Sequence, residues 1–131
     1  MEYSNFAEFL TDKRAMSGLT VRCLAGKIGC PASLITEVEK DKKNPPRYEK
    51  LIKLAKALKL SPEETNLMFD LAGRKRDSPA PDLVPYILGS GSAADGIRAA
   101  RDMGATAEEW EEFKRYLQNR HGGEYVAKNE N

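Results

Sequence analysis

The sequence has few of the residues from which metal centres and catalytic sites are built. His121 is its only histidine, and its two cysteines, Cys23 and Cys30, form no CxxC pair. A zinc site is therefore not expected, and both cysteines are predicted to be small core residues in a reducing cytoplasm. The sequence also has no phosphate-binding loop and no nucleophile elbow. We expect neither a cofactor nor a metal, and not an enzyme.

Long apolar runs are absent as well. No stretch approaches the roughly 18 apolar residues of a membrane span, and the first residues lack the basic region and apolar core of a secretory signal. Of the 131 residues, 31% are charged and 40% hydrophobic, which suits a single soluble domain or a small domain with an appendage. No membrane association is expected, and the predicted location is cytoplasmic.

The net charge of +1 conceals an uneven distribution. Residues 1–77 contain 15 Lys and Arg against 11 Asp and Glu, a net charge of +4. Residues 78–131 contain 6 against 9, a net charge of −3. The first part is thus modestly basic, as a phosphate-binding surface requires.

Residues 19–46, LTVRCLAGKIGCPASLITEVEKDKKNPP, predict two short helices joined by a tight turn. Thr20 suits the N-cap of the first helix, and Gly29 suits the turn because positive φ is cheap only for glycine. Pro31 fits the first turn of the second helix. Apolar residues recur at helical spacing in both helices: Val21, Leu24, Ala25 and Ile28, then Leu34, Ile35 and Val38. Such a pair presents its second helix as a rod that fits the major groove of B-DNA.

The segment resembles the helix-turn-helix of the Cro and phage-repressor family, also called the xenobiotic-response-element type. The resemblance covers about residues 4–73 and rests on Leu19, Thr20, Leu24, Ala25, Gly29, Ser33, Ile35, Thr36, Val38 and Glu39. It implies an all-α fold, a five-helix repressor-like DNA-binding domain, here with a C-terminal helical extension. It also implies an ion pair between Arg14 and Glu39 that locks the first helix to the recognition helix.

The remaining helices are predicted from caps and apolar spacing. The first helix is expected over residues 5–16, capped by Ser4 and with Met16 on its core side, the fourth over 47–58, and the fifth from the Ser61–Glu64 start to Gly73. Further helices are expected over residues 93–103 and 107–120, the last with a Thr106–Glu109 capping box. The predicted domains are residues 1–74 for DNA binding, a linker at 75–82, a C-terminal helical segment at 83–121 and a flexible tail at 122–131.

The resemblance also implies which residues would touch DNA. The recognition-helix positions that face base edges are Ala32, Ser33, Thr36 and Glu37. The expected phosphate-binding residues are Thr20, Lys40, Lys42, Lys43, Asn44 and Arg47. The sequence departs from the family pattern at Val21 and Ala32, where polar residues are frequent. Base discrimination is therefore expected to use apolar contact and DNA shape.

The C-terminal segment is too short to fold alone, so its apolar stripe needs a partner surface. That stripe consists of Trp110, Phe113, Tyr116 and Leu117. It could pack on the first five helices or on another subunit, and the resemblance implies a homodimer.

Three functions remain open at this point. The first is a nucleoid-associated transcriptional repressor of phage or mobile-element type that binds double-stranded DNA as a dimer. The second is an antitoxin that holds a toxin through its C-terminal helices, and a regulatory protease is another possible partner. The third is a helical protein-interaction module without DNA affinity.

Overall fold

The computed structural model describes residues 2–127, and these form eight α-helices without a strand. The helices are α1 Phe6–Met16, α2 Val21–Ile28, α3 Ala32–Glu39, α4 Tyr48–Ala57, α5 Pro62–Lys75, α6 Leu83–Leu88, α7 Gly91–Met103 and α8 Ala107–Arg120. The predicted all-α fold is confirmed. Among these eight helices, none has the length and apolar character that crossing a bilayer requires. The last residues of the predicted tail, 128–131, lie outside the described residues.

The contacts divide the described chain into two compact units, residues 2–84 and 85–127. The first unit is built on α1–α5. In it, α2 packs on α3 and α4, α1 packs on α3 and α5, and α4 contacts α5. One cluster of apolar side chains lies between these helices: Phe6, Phe9, Leu10, Leu24, Ala25, Ile28, Ile35, Val38, Leu51, Leu54, Leu58, Met68, Phe69, Leu71, Ala72 and Ala80.

Local caps explain where the helices of the first unit begin and end. The Thr20 hydroxyl accepts a hydrogen bond from the Cys23 N–H, and Gly29 ends α2 with φ of 75°. A full capping box between Ser61 and Glu64 starts α5. Asn5, rather than the predicted Ser4, caps α1, because the Asn5 side chain reaches the Glu8 N–H.

Two side chains do not lie where the sequence predicts them. Met16, predicted on the core side, is 65% exposed at the last turn of α1. Cys23 is exposed and Cys30 is half-buried, so the prediction that both belong to the core is wrong for Cys23. Cys23 lies on the exposed side of α2. Cys30 follows the turn, and its partial burial raises the pKa of its thiol.

Lys13 is a charged residue that the first unit buries. Its Nζ donates a hydrogen bond to Glu64 Oε2 and lies 5.9 Å from the ring centroids of Tyr3 and Phe9. The hydrogen bond raises the pKa of Lys13 and lowers the pKa of Glu64. The pair therefore connects α1 to the first turn of α5.

The segment after Gly73 differs from the linker predicted at residues 75–82. Helix α5 continues to Lys75, and Asp77 then adopts a left-handed φ of 55° that reverses the chain. A Cβ atom on buried Gly73 would lie 2.8 Å from the backbone of Pro79, so the returning chain crosses α5 closely. Ala80 completes the crossing as a member of the core. These residues are part of the first unit because the glycine leaves them room to pack.

The second unit has well-formed helix starts and no buried side chain in α7 or α8. Ser90 caps α7, which therefore begins at Gly91, two residues before the predicted start at residue 93. Thr106 and Glu109 form the predicted capping box of α8. Two ring contacts run along α8, with centroids 6.0 Å apart for Trp110 and Phe113 and 6.4 Å apart for Phe113 and Tyr116.

Candidate nucleic-acid interface

Helix α3 separates a buried side from an outer side. Ile35 and Val38 lie in the core. The four predicted base-reading residues are Ala32, Ser33, Thr36 and Glu37, and of these Ala32 also packs against the core cluster. Of these, Ser33 is exposed and the other three are half-buried. The Thr36 hydroxyl donates to the Ala32 carbonyl at 3.3 Å, so the hydroxyl hydrogen is directed back along the helix.

An ion pair fixes α3 against the first helix. Arg14 Nε lies 2.6 Å from Glu39 Oε2, and Arg14 Nη2 donates to Glu39 Oε1 at 3.0 Å. A third donor, Arg14 Nη1, binds the Leu19 carbonyl at 2.9 Å. The hydrogen bonds to Glu39 raise the pKa of Arg14. One guanidinium thus connects α1, the residue before the Thr20 cap and the end of α3.

The start of α2 offers one exposed polar side chain beside an apolar one. Thr20 is exposed while its hydroxyl oxygen caps the helix. Val21, next to it, is half-buried and packs against the core cluster. Where the family often has a polar side chain, this chain therefore uses the position for packing.

The loop from Lys40 to Arg47 joins α3 to α4. Its predicted phosphate-binding side chains are all exposed: Lys40, Lys42, Lys43, Asn44 and Arg47. The first part of the loop folds on the end of α3, with the Asp41 N–H bound to Val38 O and the Lys42 N–H bound to Glu37 O. Asp41 takes a left-handed φ of 60°, and Pro45 and Pro46 are buried. The loop is thus anchored at both ends and presents its cations outward.

One predicted base reader and one predicted phosphate anchor contact each other. Lys43 Nζ lies 3.5 Å from Glu37 Oε1, and both side chains are more than 40% exposed. An exposed pair of this kind is weak, at about 0–1 kcal/mol. Both side chains therefore remain available to another partner.

Two basic residues that the sequence assigned to the linker also contact this loop. Lys75 Nζ lies 3.0 Å from Asp41 Oδ1. Arg76 Nη2 donates to the Pro45 carbonyl at 2.7 Å. Burial lowers the pKa of Arg76, and the nearby Arg47 cation lowers it further. The basic run at residues 74–76 is the only sequence signal for these contacts, and it does not say where they are made.

The predicted partner face belongs to the other unit. Its four side chains all lie on α8 and are at least one-third exposed: Trp110, Phe113, Tyr116 and Leu117. Taken by itself, the second unit leaves this apolar surface uncovered.

Comparison with known proteins matches the first unit to a sequence family. Residues 5–68 match a family described as a helix-turn-helix domain. No curated protein matches the chain. A solved structure titled "SinR protein/SinI protein complex" has a TM-score of 0.44 and 18% sequence identity, and the alignment covers 88% of this chain and 97% of that chain. The predicted helix-turn-helix is confirmed by this match over residues 5–68.

Proposed function

We propose that this protein is a transcriptional regulator that binds double-stranded DNA in a sequence-specific manner, as a repressor of phage or mobile-element type. The observation that carries the proposal is the placement of α3. Its outer side lies beside the exposed cations of the loop at residues 40–47, within a helix-turn-helix domain. A helix with a basic loop at its end can enter a major groove while the loop contacts the phosphates.

The outer side of α3 supports base reading by small side chains. Ser33 can donate to or accept from a base edge, and the Ala32 and Thr36 methyl groups can contact a thymine methyl. Glu37 can accept from a cytosine amino group. Since Ala32, Ser33 and Thr36 have short side chains, the backbone of α3 must approach the bases closely to let them read.

The loop supports phosphate binding by charge. The loop exposes the ammonium groups of Lys40, Lys42 and Lys43. It also exposes the Asn44 amide and the Arg47 guanidinium. Each phosphate contact that neutralises a charge releases counterions, so the affinity should fall as salt rises.

The first test is selection of bound DNA from a random pool, followed by affinity measurements over a range of salt concentrations. Lys43→Ala should weaken binding to all sequences and reduce the slope of log affinity against log salt by about 0.9. Lys56→Ala removes the same charge from the exposed end of α4 and is the matched control. An unchanged slope in Lys43→Ala would remove that residue from the interface.

Base reading has a different signature from phosphate binding. Ser33→Ala and Thr36→Ala should change which sequences are enriched, with a loss of about 1–3 kcal/mol at the affected base pair and little effect on other DNA. If neither variant changes the selected sequence, α3 is not the reading helix. If the wild-type protein enriches no sequence and binds no DNA at low salt, the protein is instead a protein-interaction module.

We further propose that α8 pairs with α8 of a second copy, in antiparallel orientation. The observations that support this are an uncovered apolar face and the distribution of charge along the helix. The first half of α8 carries four glutamates, and the second half carries Lys114, Arg115 and Arg120. Antiparallel pairing brings each acidic half next to a basic half and places Phe113 near the centre. A homodimer would present two recognition helices to a pseudo-palindromic operator.

Light scattering after size exclusion tests the dimer. Phe113→Glu should convert it to a monomer, while Asn119→Glu adds the same charge outside the apolar face, about 120° around α8 from Phe113, and should leave it dimeric. If the wild-type protein is monomeric at high concentration, the apolar face of α8 would instead bind a different protein. That result would favour an antitoxin that holds a toxin, or a repressor controlled by a protease.

A further inference from the structure

Two residues at the end of α5, Lys75 and Arg76, contact the loop at residues 40–47. Backbone hydrogen bonds within the described chain run along the loop as far as Lys42 and begin again at Arg47, where the carbonyl accepts from Leu51. Between these points, the Pro45 carbonyl accepts from Arg76 Nη2 at 2.7 Å. The segment that carries the predicted anchors Lys43 and Asn44 is therefore held by the burial of Pro45 and Pro46 and by a hydrogen bond from a side chain 31 residues away.

The second contact concerns charge. Asp41 is the one acidic residue among the basic side chains of the loop, and its carboxylate would repel DNA phosphates. Lys75 Nζ lies 3.0 Å from this carboxylate, and Asp41 and Lys75 are both partly exposed. Lys75 offsets the negative charge of Asp41, so the electrostatic potential around the loop stays positive.

Both contacts depend on the packing that follows α5. The chain reverses at Asp77, crosses Gly73 at contact distance and places Ala80 in the core. This crossing fixes the last turn of α5, where Lys75 and Arg76 lie. A free linker at these positions could not hold either side chain against the loop.

We propose that Arg76 and Lys75 are positioning residues for DNA binding: Arg76 holds the Pro45 carbonyl so that Lys43 and Asn44 face the phosphates, and Lys75 neutralises Asp41. This inference rests on the proposed DNA-binding function and adds a part of the domain that lies beyond the matched residues 5–68. Neither side chain needs to touch DNA. The burial that lowers the pKa of Arg76 is consistent with a guanidinium directed into the fold.

The first experiment needs no DNA. In the free protein, the NMR order parameters of the Lys43 and Asn44 backbone N–H bonds should fall from about 0.85 to below about 0.6 in Arg76→Ala, because the charged hydrogen bond to the neighbouring Pro45 carbonyl is lost. Arg74→Ala is the matched control, since it removes an exposed cation two residues earlier on the same segment. Equal order parameters at the loop in the two variants would overturn the role of Arg76.

The second experiment measures affinity for the selected DNA. Arg76→Ala should weaken binding about tenfold, and Arg74→Ala by less than about twofold. In a protein that already carries Lys43→Ala and Asn44→Ala, the additional loss from Arg76→Ala should fall below about twofold, because the groups that it positions are gone. A tenfold loss in both backgrounds would mean that Arg76 contacts DNA itself, and the positioning role would be wrong.

The third experiment isolates Lys75 and leaves the Arg76 contact intact. Lys75→Ala should weaken binding about threefold in the wild-type background and have no effect when Asp41→Asn is present. A loss that persists in Asp41→Asn would overturn the neutralising role. If the wild-type protein binds no DNA at low salt, the proposed function fails, and the order parameters of Lys43 and Asn44 still decide whether Arg76 holds the loop.

Discussion

Helices α5 and α8 obey the same local rules and differ in what they bury. Each is 14 residues long and begins with a complete capping box, Ser61–Glu64 in α5 and Thr106–Glu109 in α8. Six residues of α5 are buried, whereas α8 buries none. Caps and periodicity are therefore enough to define a helix. What it packs against must be supplied by the rest of the chain or by another molecule.

The same difference extends to the two units. The first closes a core between five helices, and ten of its apolar side chains are fully inaccessible to solvent: Phe9, Leu10, Leu24, Ile28, Ile35, Leu51, Leu54, Met68, Phe69 and Ala72. The second keeps its aromatic side chains at the surface. We therefore expect the first unit to carry the stability of the chain and the second to respond to association.

The largest effect should come from matched aromatic deletions. Phe69→Ala empties a fully buried site in α5 and should lower the free energy of unfolding by about 3–5 kcal/mol. Phe113→Ala in α8 should change it by less than about 0.5 kcal/mol while the protein is monomeric, because the ring is already half exposed. Urea denaturation at low protein concentration measures both. Similar losses in the two variants would show that α8 belongs to the core of the monomer.

Two glycines provide the next contrast. Gly73→Ala places a Cβ atom 2.8 Å from the Pro79 backbone and should destabilise the first unit by about 1–3 kcal/mol. Gly96→Ala meets no atom within 4 Å and should stabilise α7 by up to about 1 kcal/mol. Urea denaturation measures the loss of stability in Gly73→Ala. Far-ultraviolet circular dichroism measures the gain of helix in Gly96→Ala. A neutral Gly73→Ala would mean that the segment after α5 is not held on the helix.

A smaller effect should depend on pH. The hydrogen bond from Lys13 lowers the pKa of Glu64 in the folded state. The stabilisation is thus complete above the unfolded pKa of about 4.3 and is lost as pH falls through the lower folded value. Glu64→Gln should cost about 1 kcal/mol at neutral pH, a value reduced for the partial exposure of the carboxylate.

The difference between wild type and Glu64→Gln should shrink as the solution is acidified below about pH 5. Urea denaturation at several pH values measures it. Glu109→Gln makes the matched change at the capping box of α8 and should leave the main unfolding transition unchanged at each pH. A gap between wild type and Glu64→Gln that stays constant down to strong acid would exclude the ionised pair as its source.

The smallest effect should come from the caps themselves. Ser61→Ala removes the N-cap of α5 and should lower the free energy of unfolding by about 0.5–1 kcal/mol. Thr106→Ala removes the corresponding cap of α8 and should reduce helical signal without moving that transition. If Thr106→Ala shifts the transition as much as Ser61→Ala does, the two units unfold together.

The sequence predicted most of the elements whose causes are local. Gly29, the Thr20 cap and both capping boxes each act within four residues, so the helix pair at 19–46 and the starts of α5 and α8 follow from spacing alone. The resemblance also implied the contact of Arg14 with Glu39, which the structure contains. The assignment of individual residues to bases and phosphates remains a prediction.

The sequence did not predict what depends on distant parts of the chain. Lys13 is buried because Glu64 arrives from α5, 51 residues later. Arg76 reaches Pro45 because the chain reverses at Asp77 and crosses Gly73. No periodic sequence pattern predicts such contacts, since they depend on the angles at which helices pack. For this reason the sequence predicts a linker at residues 75–82, whereas the segment packs on the first unit through Pro79 and Ala80.

The contact between Glu37 and Lys43 has a consequence for how the protein would search DNA. In the proposed complex, Lys43 would turn from Glu37 to a phosphate, and the Glu37 carboxylate would lose its counterion while the surrounding field becomes negative. On an arbitrary sequence the freed carboxylate would have no donor, which would shorten the time that the protein stays bound. Where the groove offers an amino hydrogen, the carboxylate would gain a new partner and dissociation would slow. A weak surface ion pair can in this way make residence time depend on the bases beneath it.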